Sequence, residues 1–127
     1  MNYEEKARAL RGDTNVHYNC CQSVLIPFAE KLGLSEEQAA ALGAHFGSGM
    51  RYGSTCGALT GALMAAGLLG KDATVANALI KDFREENGYT DCRDLLKAAA
   101  DRGQPKKENC DELVCQCVRA LEALVEG

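Results

Sequence analysis

Residues 55–69, Thr-Cys-Gly-Ala-Leu-Thr-Gly-Ala-Leu-Met-Ala-Ala-Gly-Leu-Leu, are small or apolar on every side of the helix they would form. A helix lying on a protein surface carries a polar face, so one without such a face must be surrounded by other helices. Gly57, Gly61 and Ala65 recur at i, i+4 and i+8, a stripe without bulky side chains where another backbone can come close, within the chain or across a dimer. The run 56–70 is broken only by Thr60 and falls short of the ~20 apolar residues a membrane span needs. It reads as a central helix, and the rest of the chain must supply its packing partners.

Those partners also read as helices. Asn2 with Glu5, Asn19 with Gln22, and Ser35 with Gln38 each pair a capping residue with Glu or Gln three positions on, the signal of a helix start. Asp72 opens a further helix that carries Val75, Leu79 and Phe83 and stops at Asn87-Gly88; Asp91 opens a short one with Leu95, Leu96 and Ala99; Asn109 with Glu112 is expected to begin the last. Pro27 lies inside the segment carrying Val24, Leu25, Phe28 and Leu32, where it removes a backbone donor and predicts a kink. The third helix places Ala39, Leu42 and Phe46 on its apolar side. No stretch shows the period-2 alternation of a strand, so the expectation is an all-α fold, one compact domain of six to seven helices over residues 1–127, with 1–18 a helical extension and 19–127 the core.

The net charge is −4, with 14 basic and 18 acidic residues, which offers no phosphate-tracking surface for nucleic acid. The polar first residues do not read as a signal peptide, and the chain is expected to be cytoplasmic, with no membrane insertion. There thiols stay reduced, so seven cysteines in 127 residues point to metal binding or catalysis on some and packing on the rest.

Four of them fall regularly. Cys20 follows Asn19, Cys56 follows Thr55, Cys92 follows Asp91 and Cys110 follows Asn109, so each is expected in the first turn of a helix. Free N–H groups and the helix dipole favour negative charge there, which lowers a thiol pKa, and the thiolate is both the nucleophile and the metal ligand. Cys117 shares the apolar stripe of Cys110, Leu113, Val114 and Leu121 and reads as core. Cys21, on the face of Val24, Leu25 and Phe28, also reads as core, and Cys115, among Asp111, Gln116 and Arg119, as exposed.

No Cys-x-x-Cys occurs, which excludes a thioredoxin-type site and a paired zinc knuckle. His17 and His45 are the only histidines; His17 precedes Cys20 closely enough to be its neighbour or a ligand, although a loop or surface histidine is the commoner case. Residues 47–53 hold three glycines and are expected to form a tight loop in which Arg51 either stabilises a thiolate at Cys56 or is simply solvated.

Asn19-Cys20-x-Gln22, Phe46-Gly47-x-Gly49-Met50 leading into Cys56-Gly57-Ala58-Leu59-Thr60-Gly61-Ala62-Leu63, then Cys92-Arg93-x-Leu95-Leu96 and Cys110-x-x-Leu113-Val114, resemble the C_GCAxxG_C_C family of redox-active proteins. The resemblance runs from residue 19 to about residue 125. It implies a four-cysteine redox protein, often encoded near transporter genes, and its four cysteines fall on Cys20, Cys56, Cys92 and Cys110. Cys21 stands where the family pattern has a small residue, and Cys115 and Cys117 are additional.

Three functions are compatible with these residues. The first is thiol/disulfide redox or electron transfer on Cys20, Cys56, Cys92 and Cys110, with Cys56 the expected attacker, Cys21 a further candidate, and a redox partner of unknown identity. The second is an iron–sulfur cluster or metal ion held by the same four thiolates. The third is a non-catalytic helical interaction module associated with a transporter.

Overall fold

The computed structural model describes residues 2–126. Residues 1 and 127, the two ends of the expected domain, lie outside the described residues. Seven α-helices follow in order: α1 (Tyr3–Arg11), α2 (Cys20–Leu25), α3 (Glu36–Gly43), α4 (Gly57–Leu68), α5 (Ala73–Asn87), α6 (Cys92–Asp101) and α7 (Lys106–Glu126). No strand occurs among the described residues, and the fold is all-α.

The caps read from sequence form at four starts. Asn2, Asn19, Ser35 and Asp72 each accept a backbone N–H of the first turn, and Asn19 and Ser35 close full capping boxes with Gln22 and Gln38. Pro27 does more than kink its helix. α2 ends at Leu25, and a short 3₁₀ turn, Ile26–Phe28, takes over with Pro27 in its first turn, where the missing N–H costs nothing.

α4 is central, as its lack of a polar face requires. Gly57, Ala58, Leu59, Gly61, Ala62, Ala65 and Ala66 are all buried in it. The small-residue stripe is occupied by α2 of the same chain: a Cβ on Gly57 would lie 3.2 Å from the Cys21 nitrogen, and one on Gly61 would lie 3.1 Å from the Cys21 oxygen. Leu59, Val24, Leu25, Phe28, Val114, Val118 and Leu121 fill the core between α4, α2 and α7. Leu42, expected on the apolar side of α3, is instead 43% exposed, since Ala39 and Gly43 make that helix's buried contacts.

The N-terminal helix packs against α7. Arg119 reaches Glu4 at 3.0 Å and Arg11 reaches Asp111 at 2.7 Å, so ion pairs tie the two helices at both ends. This cover overturns one expectation. Cys115 sits among polar residues of α7 yet is only 1% exposed, because α1 lies over that side of the helix.

Candidate functional site

Cys20 is the first residue of α2, and its position follows from Asn19. The Asn19 Oδ1 accepts the Gln22 N–H at 2.8 Å, and its Nδ2 donates to the carbonyls of Gly43 at 3.0 Å and Ala44 at 3.2 Å, which fastens the helix start to the end of α3.

Cys56 and Cys92 are set by a backbone pairing that the sequence did not reveal. Thr55 and Asp91 form an isolated antiparallel bridge, with the Cys56 N–H donating to the Thr90 carbonyl and the Cys92 N–H to that of Ser54. Thr55 is therefore part of the bridge, and Cys56 itself is the N-cap of α4, a position earlier than expected. Cys92 is the first residue of α6, as expected.

Cys110 departs furthest from its expected place. α7 begins at Lys106, and the Asn109 N–H already bonds to the Pro105 carbonyl, so Cys110 lies one turn inside the helix. Asn109 does not cap. It is 3% exposed, and its Oδ1 accepts a hydrogen bond from Arg102 at 3.0 Å.

These four cysteines nevertheless share one cavity. Cys20, Cys56, Cys92 and Cys110 line one cavity of ≈100 Å³, together with Arg11, His17, Lys106 and Asn109. Arg11 and Lys106 had no signal in the sequence, since each reaches the cavity only through the packing of α1 and α7. Arg51, by contrast, is exposed and lies 3.3 Å from His45, and neither lines the cavity. Cys21, Cys115 and Cys117 are buried outside it.

Cys20 and Cys110, which line the cavity together, shift each other's ionisation. A hydrogen bond from the Cys20 thiol, strengthened by the charges of Arg11 and Lys106 and opposed by burial, brings Cys110 down to about 7. The same hydrogen bond, with burial, pushes Cys20 well up. As pH rises through about 7 the pair passes from two protons to one, and the negative charge then sits on Cys110, where the two cations favour it. Cys56, the expected attacker, goes the other way: burial pushes it up to about 11, although the Ala58 and Leu59 N–H groups favour its thiolate. Burial, then the charge of Cys110, also raises Cys92.

A metal or cluster would need its donors gathered on one point. Among the described residues no group of three or more Cys, His, Asp or Glu is placed to hold a metal ion, so the four thiols do not form a ready ligand set.

No curated protein and no solved structure matches the chain. The family model described as "Putative redox-active protein (C_GCAxxG_C_C)" matches residues 18–124, a span that begins just before Asn19 and takes in all four cavity cysteines. With nearly the whole chain matched, the protein belongs to the C_GCAxxG_C_C redox-active family.

Proposed function

We propose that Cys20 and Cys110 are a thiol/disulfide redox pair, with Cys110 the attacking thiolate and Cys20 the resolving thiol. The observation that carries this reading is that both thiols line one cavity, where Arg11 and Lys106 favour the charge on Cys110. A thiolate present near neutral pH is the species that attacks a disulfide, and attack is fastest when the thiol pKa lies near the ambient pH.

The reaction balances with an external disulfide as oxidant. The Cys110 Sγ attacks one sulfur of that disulfide; the new S–S bond forms as the old one breaks, and the first thiolate leaves with the electron pair. Cys20 then gives up its proton and attacks the Cys110 Sγ, which closes the Cys20–Cys110 disulfide and expels the second thiolate. Two protein thiols are oxidised and one disulfide is reduced to two thiols.

Cys56 and Cys92 open onto the same cavity and complete the four-thiol set. We place the reaction in the cytoplasm, where glutathione and thioredoxin keep thiols reduced between turnovers. No helix among the described residues is long and apolar enough to cross a membrane.

The test is peptide mapping after anaerobic reaction of the reduced protein with a small disulfide. A reversible Cys20–Cys110 disulfide is expected, and Cys20→Ser should trap the oxidant as a mixed disulfide on Cys110. Retention of both thiols, or a disulfide that excludes both residues, would sink the proposal.

A further inference from the structure

The chain carries a net charge of −4, yet no carboxylate lines the cavity that holds the four cysteines. Its lining instead supplies hydrogen-bond donors and positive charge. Lys106 is exposed at the cavity and pairs with no carboxylate among the described residues. The Arg11 side chain, 11% exposed, uses Nε on Asp111 and Nη1 on the Tyr18 carbonyl, which leaves Nη2 free of either bond. Lys107 bonds to the other oxygen of Asp111 at 2.7 Å. Asp111 thus takes both Arg11 and Lys107, and Lys106 is the cavity cation that no carboxylate pairs among the described residues.

Asn109 adds an independent observation. Its Oδ1 accepts from Arg102, and because a guanidinium only donates, that bond fixes which way the amide is turned. The Nδ2 is left buried without a partner. Burying a donor unsatisfied costs ~1–3 kcal/mol, and such a group on a cavity wall calls for an acceptor that arrives from outside.

We infer that the cavity binds the anionic group of a small oxidant, a low-molecular-weight sulfur electrophile bearing a carboxylate or sulfonate beside its reacting atom, with Lys106, Arg11 and the Asn109 Nδ2 as donors. The inference rests on Cys110 as the attacking thiolate and names the class of molecule it attacks. The size agrees: ≈100 Å³ admits the reacting end of such a molecule and not a folded protein segment. The anion takes no part in the electron balance, which remains the disulfide exchange above; it holds the electrophilic sulfur over Cys110.

The experiment compares two alkylating agents that differ in charge and little else, iodoacetate and iodoacetamide, on the reduced full chain. Their rate ratio at Cys110 cancels the thiolate's own reactivity and reports attraction for the carboxylate. The ratio should exceed that of the urea-unfolded protein by about tenfold, the lower end of what a cleft lined by one sign of charge does to a rate. Lys106→Met and Asn109→Leu should each lower it several-fold, Asn109→Asp should invert the preference, and sodium sulfate should protect the wild type from both reagents. Lys106 is exposed, so its variant keeps the test independent of any folding defect at Asn109. A ratio equal to that of the unfolded chain, or one unchanged in Lys106→Met, would overturn the inference. A raised ratio in a protein that never forms the Cys20–Cys110 disulfide would uphold the anion site and remove the redox pair, so the two failures are distinct.

Discussion

Thr55 and Asp91 face each other in a single antiparallel pairing, and the cysteines that follow them exchange backbone hydrogen bonds across it, Cys56 to Thr90 at 2.8 Å and Cys92 to Ser54 at 2.6 Å. The Asp91 side chain makes no cap bond, so these main-chain bonds, with Arg93 Nε donating to the Gly53 carbonyl at 3.3 Å beside them, hold the start of α6 to the start of α4. Two thiols from helices that are distant in sequence are thereby fixed relative to each other through the backbone.

That pairing depends on Gly49. The turn before it runs through Ser48, Gly49, Met50 and Arg51, all at positive φ, and closes with the Ser54 N–H on the Gly49 carbonyl at 2.8 Å. A Cβ on Gly49 would lie 2.3 Å from the Ser54 oxygen, the same oxygen that accepts from Cys92, and 2.7 Å from the Cys92 Cβ. Gly49→Ala should therefore cost roughly 1–3 kcal/mol in urea unfolding, the usual range for overpacking, because the atoms it meets include backbone that cannot move aside. Arg51→Gly, at φ 73° and exposed, should gain up to about 1 kcal/mol in the same assay, since left-handed backbone penalises a side chain. Equal stability of Gly49→Ala and the wild type would contradict this account of the turn.

The cysteines should separate by reactivity. Cys110, Cys20 and Cys92 are partly exposed, whereas Cys21, Cys56, Cys115 and Cys117 are buried. A neutral thiol reagent at pH 7 should modify Cys110 first, Cys20 and Cys92 later, and the other four only when the protein unfolds. Rapid modification of Cys115 in the native protein would show that α1 does not cover it.

Arg11 should set the pH profile of that first reaction. With hydrogen bonding from Cys20 the leading cause and Arg11 the first of the charges, Cys110 titrates at about 7, and its alkylation rate should show a midpoint there. Arg11→Met should move the midpoint upward and slow alkylation at pH 7 roughly several-fold, while Asp111 keeps its bond to Lys107. A midpoint near that of an ordinary thiol in the wild type would count against Cys20 and Arg11 as the groups that lower Cys110.

Local chemistry was legible in the sequence, and long-range packing was not. Asn2, Asn19, Ser35 and Asp72 cap as read because a cap is decided within four residues. Asn109 and Glu112 carry the same local signal, yet the helix has already begun at Lys106 and the Asn109 side chain is spent on Arg102. Arg11 and Asp111 are a hundred positions apart, and nothing local marks either as a partner of the other. Cys115 failed for the same reason: periodicity along α7 identifies its polar side but not the separate helix that covers it. The four cysteines singled out from the sequence line one cavity between helices, although two of the four helix positions that motivated the choice were wrong.

The buried thiols give the protein a defined weakness in alkali. Cys21 and Cys56 are raised by burial from an ordinary value of 9.0 to about 11, and Cys20 and Cys117 are raised well above it. A group whose pKa is higher in the folded state contributes stability that is fully present below the unfolded value and is lost as pH rises through the folded one. Stability should hold up to pH 9 and fall between 9 and 11, where the unfolded chain releases protons that the folded core retains. Cys110 contributes nothing to this fall: its pKa is lowered, so its stabilisation is complete above pH 9 and is lost as pH drops through 7. Each retained proton steepens the alkaline slope by about 1.4 kcal/mol per pH unit. Lysines and tyrosines also titrate in this range, so the measurement is the slope of unfolding free energy against pH in the wild type and in Cys21→Ala. The variant should be less stable at every pH, from the cavity it leaves beside Gly43 and Gly61, yet its slope between pH 9 and 11 should be shallower by close to one proton. Parallel slopes would mean that Cys21 ionises in the folded protein as readily as in the unfolded one, which its burial forbids.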